Sequence, residues 1–220
     1  MTWSIIARDG PSGQIGIAVA TKFFAVGALV PHIAAEIGGI ATQALVNPYY
    51  GTDGLKLLRD GKSPEDVVKT LLAADSGHAS RQLHILDTAG RIAAHTGSDC
   101  VDWCGHVQGD GFSIAGNMLA RGRVLDDCAA AYAEHSNLPL AHRLIAAMRA
   151  GEAAGGDKRG KQSAALVIHG SEEWPMLDLR VDDHPDPLSE LERLERVSRQ
   201  RITDRAVIDA GIAAALAGER

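Results

Sequence analysis

The sequence predicts an α+β fold in which two antiparallel sheets stack face to face, with helices on the outside. Short apolar runs come in pairs joined by turn residues, which indicates hairpins. Helical periodicity appears in separate blocks, not between every pair of strands. One strand carries only small residues on one face, so a neighbouring layer can approach it closely. This order favours stacked antiparallel sheets over a parallel, doubly wound sheet.

The first hairpin is predicted from two apolar runs, residues 3–8 and 14–20. The turn between them reads Asp9-Gly10-Pro11-Ser12-Gly13, which is turn chemistry throughout. Along the second run, branched residues alternate with small ones, so one face of the strand is bulky and the other is flat. The flat face consists of Gly16, Ala18 and Ala20.

The next elements are two strands and then helices. Apolar runs at residues 32–36 and 39–45 extend the sheet until residues 47–51 interrupt it with Asn-Pro-Tyr-Tyr-Gly. A helix is predicted after Ser63, a good N-cap, because Pro64 suits the first helical position and two carboxylates follow. Val67, Val68 and later leucines give this helix one apolar face.

The second half repeats this pattern. Runs at residues 82–87 and 91–95 predict a hairpin, and residues 112–116 predict another strand. Two amphipathic helices follow, one around residues 124–132 and one around 140–148 that stops at Gly151. Strands at 163–169 and 176–181 precede a helix that starts at Asp186-Pro187, and the tail from Asp204 is expected to be helical as well.

Composition narrows the possible partners. The chain has 220 residues, 45% of them hydrophobic, and we expect a single domain over residues 1–220 with C-terminal helices from about residue 186. A formal net charge of −6 gives no basic footprint for nucleic acid or for an anionic membrane. No apolar run approaches the about 18 residues that a membrane span needs. We therefore expect neither nucleic acid nor membrane as a partner.

The cysteines and the N-terminus predict a cytoplasmic location. Three cysteines, an odd number, do not make a disulfide framework. Arg8, Asp9 and Gly10 interrupt the first apolar run, so it does not read as a signal peptide.

Short motifs are spread along nearly the whole chain. They are residues 1–5 (MTWSI), 41–44 (ATQA), 47–51 (NPYYG), 94–97 (AHTG), 109–113 (GDGFS), 116–119 (GNML) and 155–165 (GGDKRGKQSAA). Together these motifs resemble one bacterial family, the domain of unknown function 1028 (DUF1028) family, which is grouped with proteins similar to N-terminal-nucleophile (Ntn) hydrolases. The resemblance implies a four-layer α-β-β-α sandwich and brings no established substrate.

The resemblance implies that Thr2 is the candidate nucleophile. In Ntn hydrolases the first residue after processing attacks the substrate, and its own α-amine is the base. An α-amino pKa of about 7.7 to 8.0 leaves a useful neutral fraction at physiological pH. Removal of Met1 is plausible because a small residue follows it, whereas a retained Met1 blocks this mechanism. The alternative is that Thr2 is an ordinary β-branched strand residue.

Two further residues complete the predicted catalytic set. Lys22 follows the second strand and could lower the pKa of a neighbouring amine or hold a substrate carboxylate, although a lysine at the end of a strand is more often only solvated. Asn117 ends a later strand and could donate to an oxyanion, or be a turn asparagine. Proteasome-like members would carry an acid where this chain has Ala20, and a lysine near Glu36, so proteasome-type proteolysis is doubtful.

No cofactor or metal is expected. The segment from Gly155 to Gln162 is close to a phosphate-binding loop, but Gln162 replaces the required Ser or Thr, and a strand follows it where a P-loop needs a helix. A zinc site is not predicted either, because the spacing of the candidate ligands does not match a closed site. Those candidates are Cys100, Cys104, His95 and His106.

The functional hypotheses are therefore two. The first is an Ntn-type amidohydrolase that cleaves a small amide or a short peptide C–N bond through Thr2. The second is a catalytically inactive, Ntn-like module that binds a small molecule. We expect the cleft where Thr2, Lys22 and Asn117 meet at the edge of the two sheets, and apolar stripes on the final helices suggest a homodimer.

Overall fold

A computed structural model of the protein describes residues 2–200. Its ten strands are β1 Thr2–Arg8, β2 Ile15–Thr21, β3 Pro31–Ala34, β4 Gly38–Ala44, β5 Arg81–Asp87, β6 Ile92–Thr96, β7 Gly105–Gly109, β8 Phe112–Asn117, β9 Ser163–His169 and β10 Leu177–Val181. The α-helices within that range are α1 Tyr49–Arg59, α2 Pro64–Ala73, α3 Arg123–Glu134, α4 Leu140–Ala153 and α5, which begins at residue 187 and continues through residue 200.

The strands form two sheets, and every pairing is antiparallel. The larger sheet has the order β10-β9-β2-β1-β8-β7, and the smaller has the order β3-β4-β5-β6. Apolar residues of α3, α4 and α5 share a core with the larger sheet, and those of α1 and α2 share one with the smaller sheet. The predicted α+β class and the four-layer α-β-β-α sandwich are confirmed.

The small face of β2 was predicted to let a neighbouring layer approach closely, and in the structure that layer is α4. Ala18 and Ala20 belong to the core between the larger sheet and its helices, together with Leu144 of α4. A Cβ at Gly16 would lie 2.6 Å from Leu144 Cδ1, so a larger residue would require the Leu144 side chain or α4 itself to move. The opposite, branched face of β2 points to the smaller sheet.

The space between the two sheets divides into an apolar part and a polar part. Ile6, Ile17, Val19 and Leu86 are among the residues that fill the apolar part. Toward the N-terminal end of β1 the buried residues become polar, and they include Ser4, His84 and Ser113. A buried polar group lowers the stability of the fold unless it is hydrogen-bonded, so each of these side chains needs a hydrogen-bond partner.

Two elements differ from the prediction. Residues 47–51 end the strand as expected, but α1 already begins at Tyr49, and its glycines weakened the helical signal. One of them, Gly54, is required by packing, since a Cβ there would lie 2.5 Å from Ile40 Cδ1. The edge strand β7 was not predicted because it lacks an apolar run. The predicted helix from Asp204 lies outside the described residues.

No helix in residues 2–200 is long and apolar enough to cross a membrane.

Candidate functional site

A small cavity opens at the end of the sandwich where β1 starts and β4 ends. Its volume is about 70 Å³, room for about two water molecules or a short alkyl group. Most of its lining is apolar, and Thr2 and Gln43 are the polar exceptions. The lining residues are Thr2, Phe23, Val26, Leu29, Val30, Gln43, Ala44 and Val46.

Thr2 is the buried first residue of β1, and its hydroxyl group has one protein partner among the described residues. Thr2 Oγ1 donates to Thr21 Oγ1 over 3.3 Å. Thr21 comes next to Thr2 because β1 and β2 pair with Trp3 opposite Ala20. No carboxylate or imidazole of residues 2–200 hydrogen-bonds the Thr2 hydroxyl, so a base for this oxygen has to come from elsewhere.

Asn117 lies directly opposite Thr2 on the neighbouring strand. The two residues are Cα partners in the β1–β8 pairing, and side chains in such a pair share one face of the sheet. Asn117 is 2% exposed, and its Nδ2 donates to Gln82 Oε1 over 2.9 Å. The structure thus brings Thr2 and Asn117 together, as the predicted cleft requires.

Lys22 is near in sequence but its side chain is directed elsewhere. Its backbone N–H donates to the buried carboxylate of Asp157 over 2.7 Å, which fixes the end of β2. Its ammonium group is exposed and lies 3.2 Å from the carbonyl oxygen of Lys161. A cationic role for Lys22 in catalysis therefore stays a prediction.

Two glutamines of the smaller sheet face the Thr2–Asn117 pair, and neither was predicted from the sequence to be a site residue. Gln43 and Gln82 are Cα partners in the β4–β5 pairing. Gln82 Oε1 accepts from Gln43 Nε2 at 2.8 Å and from Asn117 Nδ2 at 2.9 Å. The available signal was a glutamine within each of the strands β4 and β5, because glutamine side chains are mostly exposed in proteins.

The orientation of both glutamine amides follows from their partners. Gln82 Nε2 lies 2.9 Å from the carbonyl oxygen of Gly116 and 3.1 Å from that of Gly105. Both carbonyl oxygens can only accept a hydrogen bond, so the atom that faces them must be the amide nitrogen. Gln82 Oε1 therefore faces the donors. Gln43 must then present Nε2 to Gln82, which leaves Gln43 Oε1 to accept from Ser4 Oγ at 2.7 Å.

The chain of hydrogen bonds continues inward through a buried histidine. His84 Nε2 lies 2.9 Å from Ser4 Oγ, and His84 Nδ1 lies 3.0 Å from Ser113 Oγ. Ser4 has one hydroxyl hydrogen, and it forms the hydrogen bond to Gln43 Oε1. His84 must therefore donate to Ser4 from Nε2 and, as a neutral ring, accept from Ser113 at Nδ1. Burial, with a smaller contribution from nearby His106, lowers the pKa of His84 to about 3, so the ring is neutral at physiological pH.

Gln43 and Asn117 are each followed by a residue in the left-handed conformation. Ala44 follows Gln43 with φ 70°, and Met118 follows Asn117 with φ 53°. Neither is a glycine, so each conformation costs about 1–2 kcal/mol. Such strain is tolerated only where the surroundings hold it, and here it ends both strands just beyond the amides.

An ion pair holds the outer rim of the cavity. Asp75 accepts from Arg81 Nε at 2.9 Å, from the Tyr50 hydroxyl at 2.9 Å and from Asn47 Nδ2 at 3.2 Å. Arg81 Nη1 in turn donates to the carbonyl oxygen of Leu45, between cavity residues Ala44 and Val46. The hydrogen bonds to Arg81 and the other donors hold the pKa of the Asp75 carboxyl well below its usual range.

The basic loop after α4 is directed toward the protein. It connects a helix to a strand, as predicted from the sequence. Lys161 Nζ lies 2.9 Å from Glu152 Oε2, Lys158 Nζ donates to the carbonyl oxygen of Asp102 at 2.8 Å, and Arg159 pairs with Asp157. All three cationic side chains of this loop are thus in contact with acceptors in the protein.

The candidate metal ligands do not form a cluster. Within residues 2–200 no three His, Cys, Asp or Glu side chains are grouped so that they could hold an ion. His95 contacts the carbonyl oxygen of His78, and His106 contacts Thr96 Oγ1. Cys104 donates to the carbonyl oxygen of Cys100.

Comparison with known proteins places the chain in a family. A solved structure of protein SPO2555 from Silicibacter pomeroyi, assigned to the DUF1028 family, is 38% identical, with a TM-score of 0.84, over 90% of this chain and 85% of that one. Anbu (ancestral beta-subunit) from Yersinia bercovieri matches with a TM-score of 0.44 and 9% identity over 92% and 97% of the two chains, a similarity too low to assign fold or function. No curated protein matches. The sequence profile described as "Family of unknown function (DUF1028)" matches residues 2–191, and the chain therefore belongs to the DUF1028 family.

Proposed function

We propose that this protein hydrolyses the amide bond of a small substrate, with Thr2 as an N-terminal nucleophile. The observation that carries the proposal is the place of Thr2. It begins β1, lines the cavity, and lies opposite the amide of Asn117. Removal of Met1 would turn this residue into the N-terminus and supply the base that no side chain of residues 2–200 provides.

The reaction would proceed by acyl transfer. The neutral Thr2 amine accepts the hydroxyl proton as Thr2 Oγ1 attacks the substrate carbonyl carbon. The C–N bond then breaks, the same proton passes to the leaving amine, and an ester remains on Thr2. Water, deprotonated by the Thr2 amine, hydrolyses this ester and releases the acid. Asn117 is assigned to stabilise the oxyanion, and Lys22 to hold the substrate at the exposed rim.

The cavity lining supports a short, apolar acyl group as the part of the substrate that enters it. Val26, Leu29 and Val30 offer no charged or hydrogen-bonding side chain to a polar group. A butyryl or similar acyl group is of the size that the cavity accepts. Its carbonyl carbon would then lie near Thr2 at the mouth.

The second candidate is a binding module without catalysis. It is favoured by two contacts: the Thr2 hydroxyl donates to Thr21, and the Lys22 ammonium lies on the carbonyl oxygen of Lys161, not on Thr2. With Met1 in place, the same cavity would hold a small ligand and leave it intact.

Two measurements test the proposal. Intact mass of the protein purified from its native host shows whether Met1 is removed. Turnover of N-acyl 4-nitroanilides from acetyl to hexanoyl should then be detectable and should be lost in Thr2→Ala, while the unfolding midpoint of that variant stays near that of the parent. Turnover that survives Thr2→Ala would show that Thr2 is not the nucleophile.

Location and assembly belong to the same proposal. All three cysteines lie within the described residues and are free thiols, which supports a reducing compartment and hence the cytoplasm. We propose a homodimer through the final helices, where Val197 is exposed. Sedimentation velocity at micromolar concentration tests the dimer, and a monomer at all concentrations would contradict it.

A further inference from the structure

The side-chain amide of Gln43 is a buried polar group beside the cavity, and only part of its hydrogen-bonding capacity is used within residues 2–200. Gln43 is 1% exposed, lines the cavity, and has an amide nitrogen with two N–H donors. One of them donates to Gln82 Oε1. The other has no acceptor among residues 2–200. Buried polar groups are nearly always hydrogen-bonded, so an N–H without a partner on a residue that lines the cavity points to a ligand.

The partners of Gln43 fix its amide from both ends. Ser4 donates to its oxygen and Gln82 accepts from its nitrogen, so the amide cannot rotate without losing both bonds. Asn117 donates one N–H to the same Gln82 oxygen. The amide nitrogens of Gln43 and Asn117 are therefore held close together by one shared acceptor, Gln82 Oε1, which is itself oriented by the carbonyl groups of Gly105 and Gly116.

A pair of fixed amide donors suits a carbonyl oxygen. The cavity contains apolar side chains for an alkyl group, and the unpartnered N–H of Gln43 is the complementary group for the oxygen next to that alkyl group. A positively charged ligand would find no carboxylate in the lining, and an anion would find no cation there.

We infer that Gln43 binds the carbonyl oxygen of a short-chain acyl ligand, and that Gln82 is the positioning residue that holds the Gln43 and Asn117 amides for this purpose. The inference rests on the cavity of the proposed function and adds to it a second donor and the chemical class of the ligand, an amide or acyl group with a short alkyl chain. It does not require that the ligand be cleaved.

The test measures binding without turnover. The full chain with Met1 retained, which blocks the Thr2 amine, is labelled with ¹⁵N and titrated with butyramide. The side-chain amide resonance of Gln43 and the methyl resonances of Val30 report on the cavity. We expect both to shift, and we expect Gln43→Met to raise the butyramide Kd at least tenfold. Ser113→Ala, which removes a hydrogen bond at the far end of the same buried network, should change that Kd less than twofold.

A second variant tests the positioning role. Gln82→Met leaves the Gln43 amide in place but removes the oxygen that fixes it. We expect the butyramide Kd to rise and the butyramide-induced shift of the Gln43 amide resonance to be lost, whereas a merely structural defect would leave that shift intact.

Three results would overturn the inference: no shift at either Val30 or Gln43, a shift at Val30 alone, or a Gln43→Met variant that binds butyramide as the parent does. Because Met1 blocks catalysis in this experiment, its outcome is independent of whether Thr2 is a nucleophile. Failure of hydrolysis with normal butyramide binding would reject the proposed reaction and keep the acyl site.

Discussion

Asn117 on β8 donates its side-chain amide to Gln82 Oε1 on β5 over 2.9 Å, and this bond links the two sheets beside Thr2. Two cross-strand pairs, Thr2 with Asn117 and Gln43 with Gln82, therefore face each other across the sandwich. The polar layer at this end is a connected set of hydrogen bonds, which is the form in which buried polar groups are tolerated.

Replacement of Asn117 by alanine should affect stability and function to different degrees. It removes one of two donors to Gln82, so we expect a loss of about 1–2 kcal/mol in the free energy of unfolding. If Asn117 stabilises the oxyanion, kcat on a butyryl anilide should fall about 100-fold. Urea unfolding and steady-state kinetics on the same preparation separate the two effects. An unchanged kcat would remove Asn117 from the site.

The buried His84 should make the protein less stable in mild acid. Its pKa is lowered to about 3 in the folded protein, against 6.5 in the unfolded chain. Above pH 6.5 both states are neutral there and the contribution is nil. As the pH falls below 6.5, only the unfolded chain binds the proton, so stability falls by about 2 kcal/mol between pH 7.5 and pH 5.

His84→Gln is the variant that tests this assignment. Its free energy of unfolding should depend less on pH over that interval, by the same about 2 kcal/mol, because the titrating group is gone. Urea unfolding of both proteins at pH 7.5 and pH 5 gives the difference. Parallel pH profiles would show that His84 titrates normally.

Asp75→Ala should loosen the rim of the cavity. Asp75 accepts hydrogen bonds from Tyr50, Asn47 and Arg81, and its loss leaves the Arg81 guanidinium without its carboxylate, so we expect a cost of about 3 kcal/mol. Asp127→Ala breaks an exposed helix pair with Arg123 and should cost less than about 0.5 kcal/mol. Equal thermal shifts in the two variants would contradict this view of the rim.

Val30→Phe should fill the cavity. Val30 is buried and lines it, so a ring at this position takes the space proposed for the acyl chain. We expect butyramide binding to weaken more than tenfold. Met176→Phe, at an exposed position outside the cavity lining, is the control and should bind as the parent does. Unchanged affinity in Val30→Phe would place the ligand elsewhere.

The layers of this fold could be predicted because their signals are local. Alternation along β2 separated a small face from a branched one, and Ser63 with Pro64 marked the start of α2, where the Ser63 side chain accepts from the Asp66 backbone N–H. The helix α1 was hidden because Gly51 and Gly54, required for close packing, are poor helix formers.

The site could be predicted only in part. The hairpin places the start of β1 beside the end of β2, which brings Thr2 next to Thr21, and family motifs pointed to Asn117. The roles of Gln43 and Gln82 depend on how two sheets stack, which no local pattern encodes. The direction of the Lys22 side chain depends on a loop more than 130 residues away in sequence, which supplies the Lys161 carbonyl oxygen.

The central claim is that the Thr2 amine is the base, and the measurement that tests it most directly compares two N-terminal forms of the same chain. One form begins at Thr2, released by cleavage of an N-terminal fusion, and the other retains Met1; both are assayed on a butyryl anilide between pH 6 and pH 9. We predict turnover only in the form that begins at Thr2, with a rate that falls as the pH drops below the amine pKa of about 8. Equal rates in the two forms would contradict the N-terminal-nucleophile mechanism, and no turnover in either would leave the acyl-binding module as the function.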